Sequence, residues 1–353
     1  MAEKPALPPL IRVSSGSAMV LGLVRGCLSA NPTTAYLLTY SEWKCTANCG
    51  FCSQARDSKS RADMLSRVTW PAFTTREVLS KLETAARRGI VKRVCIQTLN
   101  YLEVLKELLA LVKELKRMRV GIPVSVSCQP LSKEGMVKLR QAGVDRIGIP
   151  LDAATKDAFK RVKGSFAGGP YDWGRQHDAL LEAAEVFGRG RVSTHLIVGL
   201  GETEKEMMES TQWCVDNGIY PALFSFTPVP GTSLEHHASP TISHYRRIQL
   251  ARYLIVGGKV RIDKMSFDVE GSIIDFGVSQ RELNRAIQSG CPFVTSGCPD
   301  CNRPYYNEKP SGPLFNYPTQ PTSEEIREIE KELQEESQHT RFLAKHASSV
   351  PSS

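Results

Sequence analysis

Between residues 35 and 290 the chain alternates short β-rich runs with amphipathic helical patterns, and that alternation leaves few folds open. Seven runs predict strands: 35–40, 92–98, 123–128, 146–151, 191–199, 222–227 and 259–263. The segments between them place apolar residues at spacings of three and four, the period of a helix with one buried face. One helix opens on Thr74-x-x-Glu77, a capping-box pattern, and continues through Val78, Leu79, Leu82, Ala85 and Ala86. Helices are expected to stop near Gly89, Gly143, Gly218 and Gly257, because glycine accepts the left-handed conformation that ends many helices. Strand–helix repeats in series imply a parallel sheet covered by helices. Seven or more such units suit an α/β fold, a (β/α) TIM-type barrel that is full or partial. A doubly wound open sheet is the alternative, but no G-x-G-x-x-G follows the first strand.

Around that barrel, 31–290, the texture changes. Residues 1–30 form an N-terminal extension, 291–321 a loop rich in Cys, Pro, Gly, Asn and Tyr, and 322–353 a charged helix with a frayed tail. No run of 18 or more apolar residues exists, so no membrane-spanning helix is expected. Residues 1–10 carry one Lys and three Pro and lack a long apolar core, so they do not read as a signal peptide, and a cytoplasmic location is expected. The net charge of +8 favours an acidic partner. It is scattered and shows no basic-aromatic motif, so neither nucleic acid nor membrane is expected as a partner.

Ten cysteines are many for a chain in a reducing compartment, and six of them fall into two triads. Cys45, Cys49 and Cys52 lie in a C-x3-C-x2-C run just after the first strand. Three thiolates can hold three irons of a cubane and leave the fourth without a protein ligand. Structural zinc is the bland alternative, but zinc takes four protein ligands and this loop offers three. In a parallel barrel the active site lies at the C-terminal ends of the strands, which is where this loop falls. Cys291, Cys298 and Cys301 form the second triad, C-x6-C-x2-C, in the Pro/Gly-rich loop. It suits an auxiliary cubane, or half a zinc site completed by His or a partner chain. A fourth ligand there could be Ser289, Ser296 or Ser311, or substrate, or nothing. Coming after the last barrel helix, this loop is expected to fold across the mouth and face the first triad.

The cysteine spacing, with Phe51 before the last thiol, resembles the cluster loop of radical S-adenosylmethionine (SAM) enzymes, and residues 30–290 resemble their biotin-synthase-like group. The run Ser193–Thr203 is similar to the family's G-x-I-x-G-x-x-E element, with Ile197, Gly199 and Glu202 in place and His195 where the first Gly is expected. Gly148-Ile-Pro-Leu-Asp152 is similar to a strand end whose Asp holds the ribose hydroxyls, with Pro150 replacing an Asn. Residues 226–232 resemble the group's sixth-strand segment. The resemblance implies a radical SAM barrel with a 4Fe-4S cluster on Cys45, Cys49 and Cys52. It implies SAM bound near Phe51, Asp152, His195, Ile197, Gly199 and Glu202. An electron from the cluster would cleave the sulfonium, and the 5'-deoxyadenosyl radical would take hydrogen from an unactivated C–H bond. No side chain beyond the cluster ligands is assigned as catalytic.

Biotin synthases hold a second cluster inside the barrel on three cysteines and an arginine. Cys95 and Cys128 align with two of those cysteines, Ser193 with the third and Ser266 with the arginine. Half the set is missing, so Cys95 and Cys128 read equally as small buried hydrophobes and are not assigned. With the second triad as an auxiliary 4Fe-4S cluster, the chain resembles the two-component, archaeal-type lipoyl synthases. That resemblance implies sulfur insertion into a protein-bound octanoyl chain. Its expected partners are an octanoylated lipoyl-carrier protein, a second radical SAM subunit and a reductant protein. Other radical chemistry on the same core, biotin-type insertion, methylation or rearrangement, and a non-catalytic cluster-binding subunit remain the alternatives.

Overall fold

The computed structural model describes residues 6–334. Eight strands form one sheet: β1 (Leu10–Val13), β2 (Thr34–Thr39), β3 (Ala72–Thr74), β4 (Arg93–Gln97), β5 (Val124–Ser127), β6 (Arg146–Gly148), β7 (Val192–Val198) and β8 (Ile219–Ser225). Their order is β8-β7-β6-β5-β4-β2-β1-β3. Six strands, β2, β4, β5, β6, β7 and β8, are parallel neighbours, joined by crossover helices such as Thr75–Arg87, Val104–Arg117, Lys133–Ala142 and Trp173–Phe187. Every residue of β2 is buried, as a strand with one face on the helices and one on an interior must be.

The result is a partial (β/α) barrel. The run 259–263 makes no strand; Val260 is its only buried side chain, and the chain passes into a 3-10 turn at Ile262–Lys264. Ile262, partly buried, packs on the same core, but the turn has no strand beside it to pair with. At the other edge, residues 10–13, expected in an extension ahead of the barrel, pair antiparallel with both β2 and β3.

The helix ends follow local chemistry, with two departures from expectation. Thr74 makes no capping bond; the capping boxes form instead at Thr203/Glu206 and Ser279/Glu282. Gly143 takes the left-handed cap at φ 107°, but the helix Ile242–Val256 is followed by Gly257 at φ −77°, and the left-handed residue is Gly258. Residues 323–334 are helical; the remainder of the expected helix, and the tail, lie outside the described residues.

The loop after residue 290 spans the open seam. Ser296 Oγ accepts from Leu223 N on β8, and the Asp300 carbonyl accepts from Thr33 and Thr34 at the start of β2. Arg93 Nε, at the start of β4, donates to the Pro299 carbonyl at 2.9 Å. The loop then runs upward, where Thr227 Oγ1 donates to the Asn307 carbonyl. Its first half therefore closes the strand-start end of the barrel, and its second half, around Tyr306 and Asn307, climbs to the mouth beside the first triad. Among the described residues no helix is long and apolar enough to cross a membrane.

Candidate active site

A cavity of about 400 Å³ fills the barrel interior, lined mainly by apolar side chains, within the range of small-molecule sites. Cys45, Cys49 and Cys52 line it from the loop after β2. The loop is built by its backbone: Cys52 N bonds the Cys49 carbonyl, Gly50 N bonds Val162 O at 2.7 Å, and Cys45 N bonds Gln54 O. Lys44 Nζ ties the flank by donating to the carbonyls of Ser53, Ser58 and Ser60. The Asn100 amide donates to Cys45 Sγ at 3.1 Å. Burial pushes the Cys49 thiol well up, although the Lys163 ammonium pulls it back, and burial carries Cys52 up to about 12. Such thiols stay protonated until a metal displaces the proton. Among the described residues no three His, Cys, Asp or Glu converge on one point as a single metal ion requires. A cubane takes three thiolates and leaves one iron without a protein ligand, whereas structural zinc takes four protein ligands.

Asp152 stands at the same cavity with φ 69°. It continues β6 as an isolated bridge to Leu196, with its N–H on His195 O. Its Oδ2 accepts from Lys163 Nζ at 2.8 Å, and Lys163 is fully buried. Lys163 also donates to the Pro150 carbonyl, which receives Gln176 Nε2 at 2.6 Å as well. The contact fixes the Asp152 side chain at the cavity wall. Nothing in the Lys160–Lys163 basic run distinguishes the last lysine, so sequence reasoning missed it.

Phe51, His195 and Ile197 also line the cavity. The His195 ring packs on Phe224 at 4.7 Å, and burial lowers its pKa to about 4, so the imidazole is neutral. Gly199 and Glu202 do not reach the cavity. They line a separate shallow groove with His237 and His244. Glu202 accepts from the amides of Gly199 and Leu200 at 2.7 and 2.9 Å, capping the turn that follows β7. Gly199 is required there: φ is 101°, and a Cβ would lie 2.8 Å from Pro240 Cδ.

The second triad does not assemble as expected. Cys298 and Cys301 line the cavity, whereas Cys291 is exposed on a 3-10 turn outside it. Phe293, fully buried against Ile329 and Tyr317, anchors that turn to the C-terminal helix and turns Cys291 outward. Cys95 and Cys128 face the cavity as well. Of the three serines considered as fourth ligand, Ser296 alone reaches the cavity, with its Oγ already bonded to Leu223 N, while Ser289 Oγ donates to the Ala286 carbonyl. Arg303 and Tyr306, two further cavity residues, carried no sequence signal beyond proximity to Cys301.

Residues 44–214 match the Radical SAM superfamily. The matched segment, just under half of the chain, contains Cys45, Cys49 and Cys52. The chain's curated relatives include biotin synthases from Hydrogenobaculum sp. (25% identical over 202 residues, 55% of each chain) and Nocardioides sp. (29% over 179 residues, 50% of this chain and 44% of the relative). The chain spans about half the length of the curated relatives it matches. Among solved structures, the barrel is similar to methylornithine synthase (TM-score 0.51, 15% identity, 64% of this chain and 62% of that one). It is also similar to HydG, an FeFe-hydrogenase maturase (TM-score 0.50, 15% identity, 68% and 53%). These likenesses concern the fold. The matched family implies a 4Fe-4S cluster and SAM, and the thiols of Cys45, Cys49 and Cys52 on a largely apolar cavity fit that requirement.

Proposed function

We propose that this chain is a radical SAM enzyme that inserts sulfur at an unactivated C–H bond, acting as a lipoyl synthase subunit on a protein-bound octanoyl chain. The observation that carries the reading is that two groups of thiols face one apolar cavity from opposite ends, Cys45, Cys49 and Cys52 above and Cys298 and Cys301 below. When bound, a 4Fe-4S cluster and SAM supply a hydrogen-abstracting radical, and a second cluster supplies sulfur. The chain's own residues do the rest. Cys45, Cys49 and Cys52 would hold the first cluster, and Asp152, fixed by Lys163, offers a carboxylate oxygen to the ribose hydroxyls. Phe51 and Ile197 offer apolar walls to the adenine, and neutral His195 adds no charge beside it. The cavity walls exclude water, which protects a reactive carbon centre and fixes its approach. A saturated chain suits walls of Leu38, Leu65, Val68 and Trp70.

The expected partners are an octanoylated carrier protein, a second radical SAM subunit and a reductant protein. Carrier domains of that kind are usually acidic, which suits the +8 charge. The test is anaerobic incubation of reconstituted protein, alone and with the second subunit, with SAM, dithionite and an octanoyl-lysyl peptide, read by mass spectrometry. One or two sulfurs added to the peptide support the reading. Deoxyadenosine formation with no sulfur added to the peptide refutes it. The relatives named as biotin synthases favour a second reading, biotin-type insertion, tested in parallel with dethiobiotin.

A further inference from the structure

Strand register brings a third thiol to the pair in the C-terminal loop. On adjacent parallel strands, Tyr36 of β2, Cys95 of β4 and Ser125 of β5 are direct partners, and all three line the cavity. Aligned residues of a parallel sheet project to one face, so Cys95 sits between the Tyr36 and Ser125 side chains. Each of those hydroxyls touches one thiol of the loop: Tyr36 Oη lies 3.4 Å from Cys301 Sγ, and Ser125 Oγ lies 3.6 Å from Cys298 Sγ. Cys95 is thereby bracketed by Cys298 on one side and Cys301 on the other. Consistent with that placement, burial first and then Cys301 and Cys298 push the Cys95 thiol up.

The loop is built for this approach. Arg93, two residues before Cys95 and on the same face, donates to Pro299 O at 2.9 Å and to Ser125 Oγ at 2.9 Å. Thr33 and Thr34 hold the Asp300 carbonyl at 2.6 and 2.7 Å. Cys301 N bonds the Cys298 carbonyl, closing the C-x2-C turn. Gly297 leaves room for the Cys301 thiol, since a Cβ there would lie 3.0 Å from its sulfur. Arg303 stacks 3.8 Å over Phe224 beside Cys301, and its solvent-shielded Nε has no hydrogen-bond partner among the described residues. A cation with an unused donor suits a charged sulfide-bearing group.

We propose that Cys95, Cys298 and Cys301 hold a second iron–sulfur cluster at the strand-start end of the cavity, with Cys291 outside its ligand set. Each thiol loses its proton to solvent as its sulfur–iron bond forms; assembling the mixed-valent cubane from ferric iron takes two electrons, which the added dithiothreitol supplies by closing to its disulfide. This ligand set deepens the sulfur-insertion reading, which rests on a second cluster, but does not depend on what that cluster does.

The test is iron and sulfide counting on full-length protein reconstituted anaerobically with ferric iron, sulfide and dithiothreitol. Wild type and Cys291→Ala each hold about eight irons, and Cys95→Ala and Cys298→Ala each about four, as two cysteine-ligated cubanes require. Cys291→Ala falling to about four irons, Cys95→Ala keeping about eight, or zinc in place of iron would overturn the proposal. Should Cys95→Ala fail to fold, the EPR signal of the reduced second cluster is recorded with Cys45, Cys49 and Cys52 all replaced by Ser. Cys95→Ser shifts that signal and Cys291→Ala does not; the opposite pattern overturns the assignment. The expected iron counts without sulfur in the product would sink the insertion reading alone. Sulfur insertion by Cys95→Ala at the wild-type rate would sink the ligand set alone.

Discussion

Replacing Lys163 with Met tests whether the Asp152 carboxylate depends on a buried counter-ion. The Lys163 side chain is 0% exposed and that of Asp152 8%, so neither charge has water to fall back on. Met fills most of the lysine's volume, which keeps cavity formation small. Pro150 O loses one donor but retains Gln176 Nε2, so its cost is minor. Asp152 Oδ2 loses the only partner it has among the described residues. Breaking a buried pair by removing one member costs about 3–5 kcal/mol. At about 1.4 kcal/mol per factor of ten, the folded-to-unfolded ratio falls by two to three and a half orders of magnitude. Urea unfolding under anaerobic conditions, followed by far-UV circular dichroism, measures the change. Lys163→Met combined with Asp152→Asn removes both charges, so the double variant is less destabilised than the sum of the singles by about 1–3 kcal/mol. Additivity within about 0.5 kcal/mol would show that the two charges do not sense each other and would refute the reasoning.

Three further outcomes are expected. Arg93→Leu frees the Pro299 carbonyl and Ser125, so limited proteolysis cuts the 295–310 loop faster than in wild type, and an unchanged rate contradicts the clamp. Burial raises Glu308 to about 7, against opposing pulls from the Asn316 N–H and Arg303. The folded state therefore keeps a proton that the unfolded chain has lost. Stability then falls as pH rises from about 4.3 to about 7, by a total of about 4 kcal/mol, and is flat above. Glu308→Gln removes that slope, which thermal melts between pH 4.5 and 8 will read. Gly231→Ala places a Cβ 2.5 Å from Ser60 N at φ 81°, beside the carbonyl that receives Lys59 N. It costs at least about 1 kcal/mol from the left-handed backbone alone and lowers the melting temperature.

Six parallel strands were legible because each is a short β-rich run bounded by turn residues, fully buried in Thr34–Thr39 and buried at alternate positions in Val192–Val198. The run 259–263 misled because its β-branched residues look like a strand, whereas Val260 and Ile262 reach the core from a turn with no strand beside it to pair with. β1 escaped notice since four residues, Leu10–Val13, carry too little pattern; only the edge of β2 gives them a partner. The Cys45 loop was readable from local spacing because its ligands come from one turn. The second thiol group was not, because its members come from β4 and from a loop some two hundred residues later. C-x6-C-x2-C encodes no path, and the buried Phe293 decides that Cys291 points outward. Cys95 gained its meaning from register with Tyr36 and Ser125, which a sequence does not display.

The account turns on the three thiols after β2 giving the chain a reducing centre open to a sulfonium ligand. Dithionite-reduced, reconstituted protein is mixed anaerobically with SAM, and 5'-deoxyadenosine is quantified for wild type and Cys49→Ser. The account predicts product from wild type and none from the variant. No product from wild type holding a full complement of iron, or equal product from both, contradicts it.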